Sequence, residues 1–253
     1  MPAFPYLFVG TIFKTNLITL AMILLSGLIL LIILRMGIRK MDMRRPSGLQ
    51  NFIEWLIDFT TTLARDTTPD STTVRFVLPL AFVMIFFLFI ANWLGLIATV
   101  AIHLNQPVAA WGISASDLVS SHGEVVLFDS PTANMSMTLG LAVMVWLLSH
   151  ARGLRHPKQY FKHFVSNPMA IIEEITNPLT HGMRLFGNIF AGEALIGVII
   201  SMPMLFGWLP TGIPFLVIWL LYSAFVSTIQ AYVFTILMSL YVGQKSYGSH
   251  SHH

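Results

Sequence analysis

Met183-Arg184-Leu185-Phe186-Gly187-Asn188-Ile189-Phe190-Ala191-Gly192-Glu193-Ala194-Leu195-Ile196 lies in an apolar run that reaches Met202, and its reading decides the fold. The run is deep enough to belong in a bilayer, yet it carries Arg184 and Glu193. A charge at mid-bilayer costs at least about 2.5–3.5 kcal/mol on insertion scales, so it is by default a functional feature. Arginine cannot become cheaper by shedding its proton, because its pKa exceeds about 12. Nine residues at about 100° each put Arg184 and Glu193 on opposite faces of one helix, which removes a salt bridge within it. Snorkelling to an interface is the structural alternative, and it would require both side chains to reach out from mid-segment.

Outward from this stretch the sequence reads as a long hairpin, 166–202 and 213–243. Ser166 to Ser201 would measure about 54 Å as one helix and Ile213 to Gly243 about 46 Å, against a hydrocarbon core of about 30 Å. Arms of that length must break, protrude or tilt. Pro178 can kink the first, and Pro203, Pro210, Gly212 and Pro214 supply the turn. Between Ser166 and Gln244 the only formal charges are Glu173, Glu174, Arg184 and Glu193. On the helical wheel Glu173, Asn177, Thr180, Asn188, Ala191 and Leu195 fall within about 40° of Arg184. Gly187 and Ala191 let another backbone come close. The missing group is a carboxylate on a partner helix. On the second arm Ser223, Ser227 and Gln230 form a thin polar line. It either satisfies backbone carbonyls and neighbours or, facing Glu193 or Arg184, lines a hydrated path.

The whole chain agrees with a lipid solvent. Of 253 residues, 55% are apolar and 10% charged, whereas soluble chains are about one quarter charged. With mean hydropathy +0.75, this excludes a soluble globular enzyme, a disordered tail and a collagen-like fibre. Cysteine is absent, so disulfides and thiolate metal sites are excluded. No secretory signal pattern is visible at the start. Three ordinary transmembrane helices are expected at 17–34, 76–102 and 130–151. An amphipathic interfacial helix over 48–66 carries Phe52, Trp55, Leu56, Phe59 and Leu63 between polar residues. Arg35, Arg39, Lys40, Arg44 and Arg45, and then Arg152, Arg155, Lys158 and Lys162, make two basic clusters on one side of the membrane. The 103–129 loop holds Asp117, Glu124 and Asp129 without Lys or Arg. The positive-inside rule then places the N-terminus and this loop outside and the C-terminus in the cytoplasm. That rule also explains the pI of about 9.3 better than nucleic acid does. His150, His156 and His163 read as a solvated, headgroup-facing set rather than metal ligands, and 244–253 as a cytoplasmic tail.

Met183-Arg184-Leu185-Phe186-Gly187-Asn188 with Ala191-Gly192-Glu193 resembles the signature of subunit a of F-type ATP synthases, bacterial type. Pro131-Thr132-Ala133-Asn134, Asn92-Trp93-Leu94-Gly95-Leu96 and Gln230-Ala231-Tyr232-Val233-Phe234 resemble that family's other landmarks, in its order. The resemblance covers most of the chain from Gly48 onward. It implies an all-α polytopic membrane protein whose tilted C-terminal hairpin faces a rotating c-subunit ring. It also implies a non-catalytic stator subunit that offers two offset half-channels to the ring's carboxylates and couples proton flow to ATP synthesis. Arg184 would be the stator arginine, with Asn188 beside it and Gln230 opposite. Glu193 would stand at the external half-channel, and Glu173 and Glu174 would serve the cytoplasmic one. Some relatives have histidine where this chain has Ser223, so a hydroxyl and water are the expected relay here. The implied partners are the c-ring, b subunits, the F1 ATPase and membrane lipid, with no cofactor, no metal and no nucleic acid. The implied location is a bacterial plasma membrane.

Two other readings compete. A secondary transporter would bind its substrate at Arg184, but no half-to-half repeat is visible. A structural anchor would leave the cost of Arg184 and Glu193 unexplained. No Gly-rich loop followed by Lys-Ser or Lys-Thr is present, so ATP binding by the chain itself is not expected.

Overall fold

The computed structural model describes residues 4–7, 15–39, 48–68, 71–97, 100–108, 111–154, 157, 169–205 and 209–246. Both basic clusters beyond Arg39 and Arg152, the start of the first hairpin arm at 166–168 and the tail from 247 fall outside them. The elements in order are β1 (Tyr6–Leu7), β2 (Thr15–Asn16), α1 (Leu17–Ile38), α2 (Gly48–Thr67), α3 (Ser71–Ile97), β3 (Val100–His103), α4 (Ala115–Ser120) and β4 (Glu124–Phe128). A 3-10 turn (Pro131–Ala133), α5 (Met135–Gly153), α6 (Met169–Ile200), β5 (Met204–Leu205), β6 (Leu209–Pro210) and α7 (Gly212–Ser246) complete the chain. Five helices, α1, α3, α5, α6 and α7, are long and apolar enough to cross a membrane. The protein is an all-α polytopic membrane protein.

Local sequence sets the helix starts. The Asn16 side chain accepts hydrogen bonds from the backbone N–H of Ile18 and Thr19 at 2.9 and 3.3 Å, and α1 begins there. It runs on past Leu34 to Ile38, which carries Arg35 into its last turn, where a cation faces the negative helix end. Asn134 caps α5 through the Ser136 N–H at 2.9 Å and donates to Thr19 Oγ1 at 3.1 Å, tying α5 to the start of α1. The second spanning helix differs from the 76–102 expected. It begins at Ser71 and stops at Ile97, and Val100–His103 forms a strand paired antiparallel with Glu124–Phe128. β-branched Val100 and Ile102 suit that ladder, and 27 helical residues already span about 40 Å.

Amphipathic α2 turns Ile53, Leu56, Thr60, Leu63 and Ala64 inward. Phe52 and Trp55 face out in an aromatic stack that continues through Phe59 to Tyr232 of α7, with centroid steps of 6.0, 5.8 and 5.7 Å. The buried stripe is therefore offset by one residue from the aromatic one that the sequence suggests. Aromatic bulk faces lipid or α7, and aliphatic side chains fill the narrower seam against α1 and α3.

The main core joins α3, α5, α6 and α7. Val77, Ala81 and Leu88, Val145, Leu185, and Ala231, Phe234 and Met238 are essentially inaccessible there. Because lipid is as apolar as a core, close packing rather than exclusion of water holds such helices together. At Gly182 a Cβ would come within 2.8 Å of Leu139 Cδ2 and 3.1 Å of its Cα. A glycine there lets α6 lie against α5. Leu185, next to Arg184, is thereby locked inward, which turns Arg184 to the outer face.

Candidate functional site

Arg184 is exposed on the surface of the chain, in the middle of α6, among Met183, Leu179 and Phe190, which are also exposed. Among the described residues no carboxylate lies within ion-pairing distance of its guanidinium. Gly187 opens onto free space on the same side. His181 and Tyr241 lie within its electrostatic reach.

Nine residues on, about 13 Å along the axis, Glu193 turns the other way into a cavity of about 180 Å³ between α3, α6 and α7. Asn92, Asn188, Glu193, Ser223 and Ser227 line it, with Trp219 as part of the wall. Trp219 is fixed by a hydrogen bond from its Nε1 to the Gly192 carbonyl at 3.1 Å. Among the described residues, the buried Glu193 Oε1 and Ser223 Oγ find no hydrogen-bond partner. Such atoms cost about 1–3 kcal/mol unless something satisfies them. At roughly 30 Å³ per molecule the space holds several waters.

The wall is built from a polar network that the sequence did not reveal. Asn92 Nδ2 donates to the Ser227 carbonyl at 3.1 Å, and Asn92 Oδ1 accepts from Thr132 Oγ1 at 2.8 Å. Thr132 and Ser130 hydroxyls lie 2.7 Å apart, and Ser130 Oγ donates to the Ala91 carbonyl at 3.1 Å. The two landmark stretches around Asn92 and Pro131 thus close one seam. Gly95 stands in it, because a Cβ there would meet Ser130 Cβ at 2.4 Å and Glu193 Oε1 at 3.1 Å.

The structure therefore brings Asn188, Glu193, Ser223 and Ser227 together, with Arg184 outside that cavity on another face. Gln230 is buried one turn beyond Ser227, toward the core. At the opposite end of α6, Glu173 is exposed, whereas Glu174 is tied down. Its Oε2 accepts from Lys245 Nζ at 2.5 Å and from Trp146 Nε1 at 3.1 Å, and His150 Nε2 stands 3.3 Å away. His150 is thus largely enclosed, with 17% of its side chain exposed, rather than the headgroup-facing residue expected. α5, α6 and α7 converge there, and no count of formal charge along the sequence shows it. His181, also unremarked in the sequence, is 3% exposed and stacked on Phe234 at 3.8 Å between ring centroids.

Comparison with known proteins agrees with this architecture. The protein family described as "ATP synthase A chain" matches residues 20–243. The chain is 37% identical over 251 residues to the "ATP synthase subunit a" of Staphylococcus carnosus, covering 95% of each. It is 36% identical over 244 residues to the protein of the same name in Oceanobacillus iheyensis, covering 93% of this chain and 92% of the other. With that of Enterococcus hirae the identity is 36% over 236 residues, covering 88% and 89%. These relatives favour the ATP synthase reading over the secondary transporter. Fold, cavity and relatives together make this chain a member of the ATP synthase subunit a family, the non-catalytic, proton-translocating subunit of the Fo sector of F-type ATP synthase.

Proposed function

We propose that Arg184 faces the carboxylates of a rotating c-ring and that the cavity at Glu193 is the outer half-channel feeding them. The observation that carries this reading is the pairing of an arginine in a spanning helix, with no acid at ion-pairing distance among the described residues, with a polar cavity where Glu193 and Ser223 oxygens lack a partner among those residues. An ionised ring carboxylate is prohibitively costly in lipid, so each must be protonated before it leaves the stator. Beside Arg184 the ionised form is favoured instead, because an opposite charge within about 4–6 Å lowers a carboxyl pKa. Arg184 thus strips the proton from an arriving carboxyl and bars a direct leak.

In this reading Glu193, Asn188, Ser223 and Ser227 bring protons from outside, and Gln230 steadies the arginine from α7. Glu173, exposed at the other end, and Glu174 serve the cytoplasmic outlet. The α6–α7 hairpin lies strongly tilted along the ring. The N-terminus is external, the C-terminus cytoplasmic and the membrane a bacterial plasma membrane, with b subunits and the F1 head as further partners. Each charge moved through 100 mV supplies about 2.3 kcal/mol to rotation. Copurification tests the assembly. A ring of small hairpin proteins and a soluble ATPase should come with this chain, and its isolation without either contradicts the proposal.

A further inference from the structure

Asp129 directly precedes Ser130, the N-cap of the 3-10 turn that closes the cavity's outer seam. Its carboxylate accepts from the Ser130 N–H at 2.7 Å, and Ser130 in turn packs against Gly95, which Glu193 Oε1 also borders. With Ser130 and Glu193 both at Gly95, the Asp129 and Glu193 carboxyls come within hydrogen-bonding reach of each other. Two ionised carboxylates only accept, so such a bond exists only when one of them carries a proton. Asp129 is half-buried and belongs to the loop side of the seam, while Glu193 and the unpartnered, 7%-exposed Ser223 open on the cavity side. The pair bridges loop and cavity.

We propose that Asp129 and Glu193 act as one proton-sharing carboxyl pair at the outer mouth, Asp129 receiving the proton from external water and Glu193 passing it into the Ser223-lined cavity. This rests on the half-channel reading above and names its second acid. One proton enters from hydronium, is held between the two carboxyls, and leaves to a cavity water on its way to the ring; no bond other than O–H changes. Burial raises the pKa of the Asp129 carboxyl above its ordinary value. Among the described residues the packed elements bring no further charge to the pair. α3 offers Asn92 and Gly95, the 3-10 turn Thr132, and α7 Ser223 and Tyr222, the only other titratable group on the cavity wall.

The test uses the intact ATP synthase complex in liposomes, with ATP synthesis driven by a potassium-diffusion potential and the pH varied on the side away from the ATPase head. A carboxylate beside a carboxylate holds a proton more tightly. Asp129→Asn should therefore move half-maximal synthesis toward lower pH by about one unit, leaving the rate at low pH within about twofold of wild type. Asp129→Ser, which keeps an acceptor for the Ser130 N–H, should shift it likewise, and Asp129→Glu should stay near wild type. Unmoved profiles in the Asn and Ser variants overturn the pair, as does assembly by Asp129→Glu alone, which would make Asp129 a structural cap. Glu193→Gln separates the two levels. If it slows synthesis while the Asp129 profiles stay fixed, only the pair is lost; if it too leaves the rate untouched, the half-channel reading falls with it.

Discussion

The two ends of α6 treat their acids in opposite ways. Toward its C-terminus Glu193 faces a cavity with an oxygen left unsatisfied, beside a serine in the same condition. Toward its N-terminus Glu174 is held by Lys245, Trp146 and His150 from two other helices. A carboxylate clamped by a cation and an indole fastens helices together. One with an oxygen left open toward a polar cavity contributes little to holding helices together. In the proposed reading Glu193 takes protons from the outer side, and Glu174 adds the fastening of helices to its place at the cytoplasmic outlet, although the sequence presents both alike as charges in an apolar run.

Substitutions can break that contrast. Glu193→Gln should have the largest effect on transport, slowing proton flux by roughly tenfold to a hundredfold, as loss of a proton-transferring group does. Flux unchanged at saturating force would remove Glu193 from the path. Next, Gly95→Val should both narrow the seam and strain it. Its Cβ would overlap Ser130, and overpacking costs about 1–3 kcal/mol. The measurements are flux and the thermal midpoint of the purified complex; a variant with both at wild-type values would show that the seam yields. Glu174→Gln should reverse the pattern of Glu193→Gln. Losing the partner of a largely enclosed Lys245 should lower stability by about 1–3 kcal/mol with flux reduced less than by Glu193→Gln. A loss of flux with no loss of stability would show that Glu174 serves the outlet without fastening the helices. Ser223→Ala should be the mildest, a reduction of a few-fold, because water can take over from one hydroxyl. Severity equal to Glu193→Gln would mean that the hydroxyl itself carries protons.

Much of this was legible from residue spacing. The apolar runs located the crossing helices, and the nine-residue offset put Arg184 and Glu193 on different faces of α6. Their lack of a shared salt bridge follows from that geometry. What stayed hidden needed contacts between distant segments. Asp129 reads as one more loop acid until the 3-10 turn folds it against Glu193. Asn92 and Thr132 are 40 residues apart, and only the meeting of α3 with the turn joins them. Lys245 reads as the edge of a tail, because α7 runs two residues past the expected limit at 243 before it reaches Glu174. On α2 the periodicity announced an amphipathic helix without showing which of its apolar residues meet other helices, since aromatic side chains are as content against lipid as in a core. The strand at Val100–His103 escaped notice for a related reason, because an apolar run continuing a helix looks the same whether or not a hairpin partner waits 20 residues on.

In the proposed reading Arg184, which has no acid at ion-pairing distance among the described residues, is paired by the carboxylate of a moving neighbour. The direct measurement is ATP-driven proton uptake by membrane vesicles carrying wild-type or Arg184→Ala complex, with passive leak measured after the ATPase head is removed. The account expects coupled uptake to vanish in the variant while passive leak persists or rises. Normal ATP-coupled uptake by Arg184→Ala vesicles would contradict it.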